Sequence, residues 1–82
     1  LLQNQPNPVG EETVIGFQLS TASQASLTIR DISGRLVFEQ MIDATAGINQ
    51  LRINRNVLGA AGVLTYTLTA GDFTATRKMV VR

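Results

Sequence analysis

Apolar side chains recur at every second position along most of this chain. Ile15, Phe17 and Leu19 alternate with Gly16, Gln18 and Ser20, and Ala25, Leu27 and Ile29 alternate with Ser26, Thr28 and Arg30. Successive side chains of a strand point to opposite faces, so a period of two predicts strands with one buried face. Strands are expected over residues 13–20, 25–30, 35–42 and 48–54, with a final pair over 62–82. In the third, Leu36 and Phe38 share one parity and Val37 and Met41 the other; a bulge or burial on both faces would reconcile them. In the fourth, Leu51 and Ile53 face in and Arg52 faces out. In the final pair, Leu64, Tyr66 and Leu68 face in, while Thr65, Thr67 and Thr69 face out. Beyond a tight turn at Ala70-Gly71-Asp72, Phe73, Ala75, Met79 and Val81 share a parity that Arg77 interrupts. Arg77 is expected to snorkel at an edge or to sit at a bulge.

The segments between strands carry turn chemistry. Thr21-Ala22-Ser23-Gln24 separates the first two strands by four residues, which predicts a hairpin. Asp31-Ile32-Ser33-Gly34 is the strongest turn signal: the aspartate carboxylate can accept backbone N–H bonds, and Gly34 can take positive φ. Asp43-Ala44-Thr45-Ala46-Gly47 is a loop. Residues 54–62 are too glycine-rich for a strand interior, so they predict a crossover between sheets, with a 3₁₀ turn near Val57-Leu58. At the start, Pro6 and Pro8 lack an N–H and force extended geometry on the residues before them. Residues 1–12 are therefore expected to be a linker leading into the domain, with Leu1 and Leu2 over the edge of the core, and residues 13–82 the domain itself. The whole pattern predicts an all-β fold, an immunoglobulin-like antiparallel β-sandwich of about seven short strands. Its core is expected to hold Ile15, Phe17, Leu19, Leu27, Ile29, Phe38, Leu51, Ile53, Leu64, Tyr66, Leu68 and Phe73.

Composition narrows what such a sandwich can do. The chain has 82 residues, enough for one domain, and contains neither Cys nor His. Thiol chemistry, zinc fingers and imidazole acid–base catalysis are thereby removed. Stability must come from packing and strand pairing alone. Seven Lys and Arg against six Asp and Glu leave a net charge of +1, scattered along the sequence, with no footprint for nucleic acid. No apolar run approaches the roughly 18 residues of a membrane-spanning helix, so no membrane insertion is expected. The chain begins with Leu1 and not Met, as expected of a piece cut from a longer protein whose export signal lies upstream.

Candidate chemistry is sparse. Glu11 and Glu12 are adjacent, so in extended chain they diverge and do not converge on one substrate atom. Asp31, Asp43 and Asp72 all fall in turns and lack the alternating spacing of a calcium loop. Gly59, Gly62 and Gly71 form no phosphate-binding pattern. Three Phe, one Tyr and no Trp are mostly needed for the core, which disfavours a sugar platform. The Thr-rich outer face (Thr65, Thr67, Thr69, Thr74, Thr76) can dock a partner, and the strand ending Lys78-Met79-Val80-Val81-Arg82 can add to another sheet. The expectation is a protein that is no enzyme and holds no cofactor and no metal.

Four stretches together resemble the C-terminal sorting domain of the type IX secretion system of Bacteroidetes. Leu2-Gln3-Asn4-Gln5-Pro6-Asn7-Pro8 resembles its opening motif, carried by Asn4, Pro6, Asn7 and Pro8. The run from Leu27 through Asp31, Gly34 and Arg35 resembles its strand, Asp-x-x-Gly turn and basic residue. Gly59 through Leu68, with Gly62 opening the strand, resembles its glycine-led strand; Leu64 stands where the family usually has an aromatic, and Tyr66 keeps one on the same parity. Ala70 through Arg82, with Gly71 in its turn, resembles its closing segment, with the basic pair Arg77-Lys78 and a short apolar tail.

The resemblance implies a partner set. An outer-membrane translocon would recognise the domain, with Arg77, Lys78, Met79, Val80, Val81 and Arg82 as the recognition residues. Folding would end, and recognition begin, at Arg77. A cargo domain would be covalently joined on the N-terminal side and exported through the periplasm to the cell surface or medium. In many systems a surface sortase removes the domain. A monomer is the expected state. The alternative is a non-catalytic immunoglobulin-like binding or spacer module of a secreted protein, adhering to glycan or protein.

Overall fold

The computed structural model describes residues 1–59 and 61–82. Six strands are described: β1 (Glu12–Leu19), β2 (Ser23–Asp31), β3 (Leu36–Ala44), β4 (Gly47–Asn54), β5 (Gly62–Ala70) and β6 (Phe73–Val81). β1 and β4 form one antiparallel sheet, and the other holds four strands in the order β3-β2-β5-β6. Buried residues from both sheets form one core, so the predicted all-β sandwich is the observed architecture. A 3₁₀ turn at Arg55–Leu58 leads from β4 towards β5, across the sheets, as predicted. Asn54 caps it, its side-chain oxygen accepting from the Asn56 N–H at 2.9 Å. The predicted crossover includes Ala60, which lies outside the described residues.

The expected hairpin of the first two strands does not form. β1 pairs with β4, from Glu12 opposite Asn54 to Leu19 opposite Gly47, while β2 pairs with β3 and β5. Ser20-Thr21-Ala22 instead arches from one sheet to the other. None of these residues takes the positive φ that the tightest hairpin turns require. Burial favours the arch: it sets Ile15 and Phe17 across the core from Leu27 and Ile29, and all four are at most 1% exposed. The mixed parity of β3 resolves as a bulge. Ile29 pairs with Phe38 but Arg30 pairs with Leu36, which leaves Val37 as the extra residue.

The opening segment is built into the fold. The Leu2 N–H donates to the Gly16 carbonyl at 2.8 Å, and Gln5 and Val14 exchange backbone bonds of 3.0 and 2.8 Å, extending the β1 side of its sheet. Gly16 permits this approach, since Leu2 Cδ1 lies 3.2 Å from where a Cβ would stand. After Pro8 the chain changes sheet: Val9 bridges in parallel to Val81, its N–H donating to the Val80 carbonyl at 2.7 Å. Residues expected to be only a lead-in thus act as a seventh extended element. They close the flank between β1 and β6 and bury Asn4 and Val9.

The core departs from expectation at its ends. Phe73 is 39% exposed, because it borders an open recess beside Leu19 and Ala70 at the β5–β6 turn. Val9, Leu58, Met79 and Val81 take fully buried positions instead. Folding therefore does not stop at Arg77: β6 stays paired to β5 through Val81, opposite Gly62.

A candidate recognition surface where the two ends of the chain meet

The first and last segments of the sequence lie side by side, tied by side chains whose roles follow from their surroundings. Tyr66 points inward from β5 and is fully enclosed. A buried phenol needs partners for its hydroxyl. The Asn4 backbone N–H donates to it at 2.9 Å, and it donates to the Leu2 carbonyl at 2.9 Å. Burial pushes the Tyr66 phenol above its ordinary range, opposed by the Asn4 bond and the nearby Arg77 charge. The Asn4 amide donates to the Pro6 carbonyl and to Thr13 Oγ1, both at 3.0 Å, and Thr13 in turn donates to the Pro6 carbonyl at 3.1 Å. Asn4 and Thr13 are the buried polar residues among those described, and neither has an unpartnered side-chain atom.

A second set of bonds ties this segment to β6. Gln3 Nε2 donates to the Lys78 carbonyl at 2.7 Å, Arg77 Nε to the Leu1 carbonyl at 2.8 Å, and the Val80 N–H to Asn7 Oδ1 at 2.9 Å. Arg77 faces the core side of an edge strand opposite Tyr66, and its head reaches the surface to cap Leu1. The snorkelling alternative therefore holds, and β6 has no bulge there. At the end of β6, the Arg55 guanidinium donates to the Arg82 carbonyl through Nε at 2.8 Å and also through its terminal nitrogen.

The residues expected to be recognised divide by parity. Arg77, Lys78, Val80 and Arg82 are exposed, whereas Met79 and Val81 are buried in the core. Pro6 and Asn7 are exposed and Pro8 is half-buried beside the same strand. Gly62 pairs with Val81 at this end, while Gly71, at φ 60°, turns the chain between β5 and β6 at the far end.

Asp31, Gly34 and Arg35 form the turn joining β2 to β3. Gly34 sits at φ 88°, and its N–H donates to the Asp31 carbonyl at 2.9 Å. The Asp31 carboxylate accepts from the Ser33 hydroxyl at 2.6 Å, from the Ser33 and Arg35 N–H groups at 2.9 and 3.0 Å, and from Arg35 Nε at 3.1 Å. The Ser33 hydroxyl bond is the main reason the Asp31 carboxyl is held below its ordinary range. Partial desolvation opposes it; the two backbone bonds and the Arg35 charge reinforce it. A lowered folded value means the charged form stabilises the fold. That contribution is complete above the ordinary aspartate value of about 3.9 and fades as the pH falls through the lower folded value. The stability difference between the wild type and Asp31→Asn is therefore expected to be constant in neutral buffer and to shrink below about pH 4. Urea melts across that range measure it, and a difference that grows on acidification contradicts the turn's role.

Sequence reasoning missed the Asn4–Thr13–Tyr66 network and the Arg55 contact. The available signal was Tyr66 itself, an inward tyrosine whose hydroxyl had no assigned partner.

These features define an antiparallel sandwich domain whose two terminal segments share one surface. The chain matches the family model described as the secretion system C-terminal sorting domain over residues 5–82, and it belongs to that family, the sorting domain of type IX secretion. Among curated proteins the comparison finds no match. Membership makes it a sorting-signal domain that engages the type IX machinery, is attached to a cargo protein, and belongs to export towards the cell surface or medium.

Proposed function

We propose that this domain is the export address of a cargo joined ahead of Leu1. The outer-membrane translocon reads the exposed part of the closing segment, namely Arg77, Lys78, Val80 and Arg82. Met79 and Val81 hold that segment in place from the core side. A surface sortase then removes the domain. It acts as a monomer and as a ligand for machinery, with no catalytic, cofactor-binding or nucleic-acid role of its own. The observation that carries this reading is the family match over residues 5–82, together with the bonds that fasten residues 1–9 to β6.

The test is a fusion of a signal peptide, a reporter and residues 1–82, expressed in cells with the secretion system. The reporter is expected at the surface, and in the periplasm when residues 77–82 are deleted. That deletion also removes core residues, so a Lys78→Glu, Arg82→Glu double variant separates reading from folding. It is expected to keep the wild-type melting temperature and still accumulate in the periplasm. Surface display unchanged in both variants overturns the reading. It would favour an adhesive spacer, whose supporting observation is the flat threonine face of β5 and β6.

A further inference from the structure

Basic charge is concentrated at one end of the sandwich, and four exposed apolar side chains, Ile32, Leu36, Val57 and Val63, lie at that same end. All seven Lys and Arg lie in the half that contains the β2–β3 turn, the 3₁₀ turn and the end of β6. The opposite end carries Asp43 and Asp72. In the basic half, Asp31 pairs with Arg35 at 3.1 Å and Glu12 with Arg52 at 3.5 Å, which leaves Glu11 and, near the middle of β3, Glu39 as its other carboxylates. Among the described residues Arg30, Arg55, Arg77, Lys78 and Arg82 have no Asp or Glu partner, and Arg77 is turned to the Leu1 carbonyl. Two others are also held in place: Arg30 donates to the Gly34 carbonyl at 3.1 Å and Arg55 to that of Arg82 at 2.8 Å.

At this same end a groove of about 570 Å³ opens between the β2–β3 turn, the 3₁₀ turn and the start of β5. Leu58 and Leu64 line its buried side, and Ile32, Leu36, Val57 and Val63 its exposed side; the charged residues on its wall, Asp31 and Arg35, neutralise each other. Ile32 is 87% exposed at the tip of the turn, where folding gains nothing from an isoleucine. Exposed apolar surface gathered beside a concave site marks interaction surface.

We propose that this groove is a docking site for an acidic protein segment bearing one or two aliphatic or aromatic side chains. The apolar side chain enters the groove, and the flanking carboxylates extend beyond its rim towards Arg30, Arg55, Lys78 and Arg82, which register places at the same end. Charge complementarity selects the acidic partner. The groove's concavity suits an inserted side chain better than a planar lipid surface. The Val37 bulge kinks the adjoining edge of β3 and disfavours the addition of a partner strand there. The inference rests on the export reading and deepens it, assigning the partner segment to the secretion machinery.

Two experiments test it. In the first, the 82-residue chain is titrated by NMR with a short peptide of Glu and Asp flanking a central Leu, with a Lys-flanked counterpart, and with anionic phospholipid vesicles. Shifts from the acidic peptide are expected at Ile32, Leu36, Val57 and Val63, and are expected to vanish at about 1 M salt, where charges are screened beyond about 3 Å. Ile32→Asp is expected to weaken binding about tenfold or more, and Ile48→Asp, equally surface-borne at the other end, less than about twofold. Binding of the Lys peptide, or of vesicles in place of the acidic peptide, overturns the proposal. In the second, the same substitutions enter the reporter fusion. Ile32→Asp is expected to lower the surface fraction with an unchanged melting temperature. If the wild-type fusion is not exported, the export reading fails; if wild type and Ile32→Asp are exported equally, the groove proposal fails alone.

Discussion

Replacing Tyr66 by alanine is expected to cost about 3–5 kcal/mol, the range for deleting a large buried aromatic. An 82-residue domain has only roughly 4–12 kcal/mol to lose. The variant should therefore be largely unfolded or close to it at 37 °C. Tyr66→Phe isolates the hydroxyl. It keeps the ring in the core but strips the partner from the Asn4 N–H and the Leu2 carbonyl, at about 1–3 kcal/mol. Urea denaturation gives both values. Hydrogen exchange adds the location: the Asn4 amide should lose protection in Tyr66→Phe before β2 and β5 do. A phenylalanine variant as stable as the wild type would mean that the opening segment is held without Tyr66.

The second large effect separates two phenylalanines that the sequence pattern treats alike. Phe17→Ala should destabilise by about 3–5 kcal/mol, since Phe17 is 1% exposed at the centre of the core. Phe73→Ala should cost less than about 1 kcal/mol, because its ring is already in contact with solvent at the recess beside Leu19. Equal losses in chemical denaturation would show that the end of the sandwich is closed in solution.

That contrast also shows what the sequence makes legible. Alternation identifies inward parity, so Ile15, Phe17, Leu27, Ile29, Tyr66 and Leu68 can be placed from their spacing alone. Parity says nothing about whether the facing sheet extends far enough to cover a residue. One sheet here has two strands and the other four, and Phe73 borders an open recess at the β5–β6 turn. Pairing partners are hidden for a similar reason. The short stretch after Leu19 allows either a hairpin or an arch, and the choice depends on which apolar rows meet across the core. The Asp31–Gly34 turn is local, so its chemistry can be read directly. The Asn4–Thr13–Tyr66 network spans 62 positions between Asn4 and Tyr66, and no local pattern encodes it. The docking groove is likewise assembled from two stretches distant in sequence, the β2–β3 turn and the passage from the 3₁₀ turn into β5, and the cations at its end of the sandwich come together only through register.

The order of contacts along the opening segment has a mechanical consequence. Leu1, Gln3, Asn7 and Val9 meet Arg77, Lys78 and Val80 in the same direction along the chain, so the segment and β6 run in parallel. Tension applied between Leu1 and Arg82 would draw such neighbours past one another lengthwise. The bonds between them would then bear the load together and not open one at a time like a zip. A cargo dragged by its own address label would thus be tethered through a clasp in shear, the loading direction in which paired strands resist extension best.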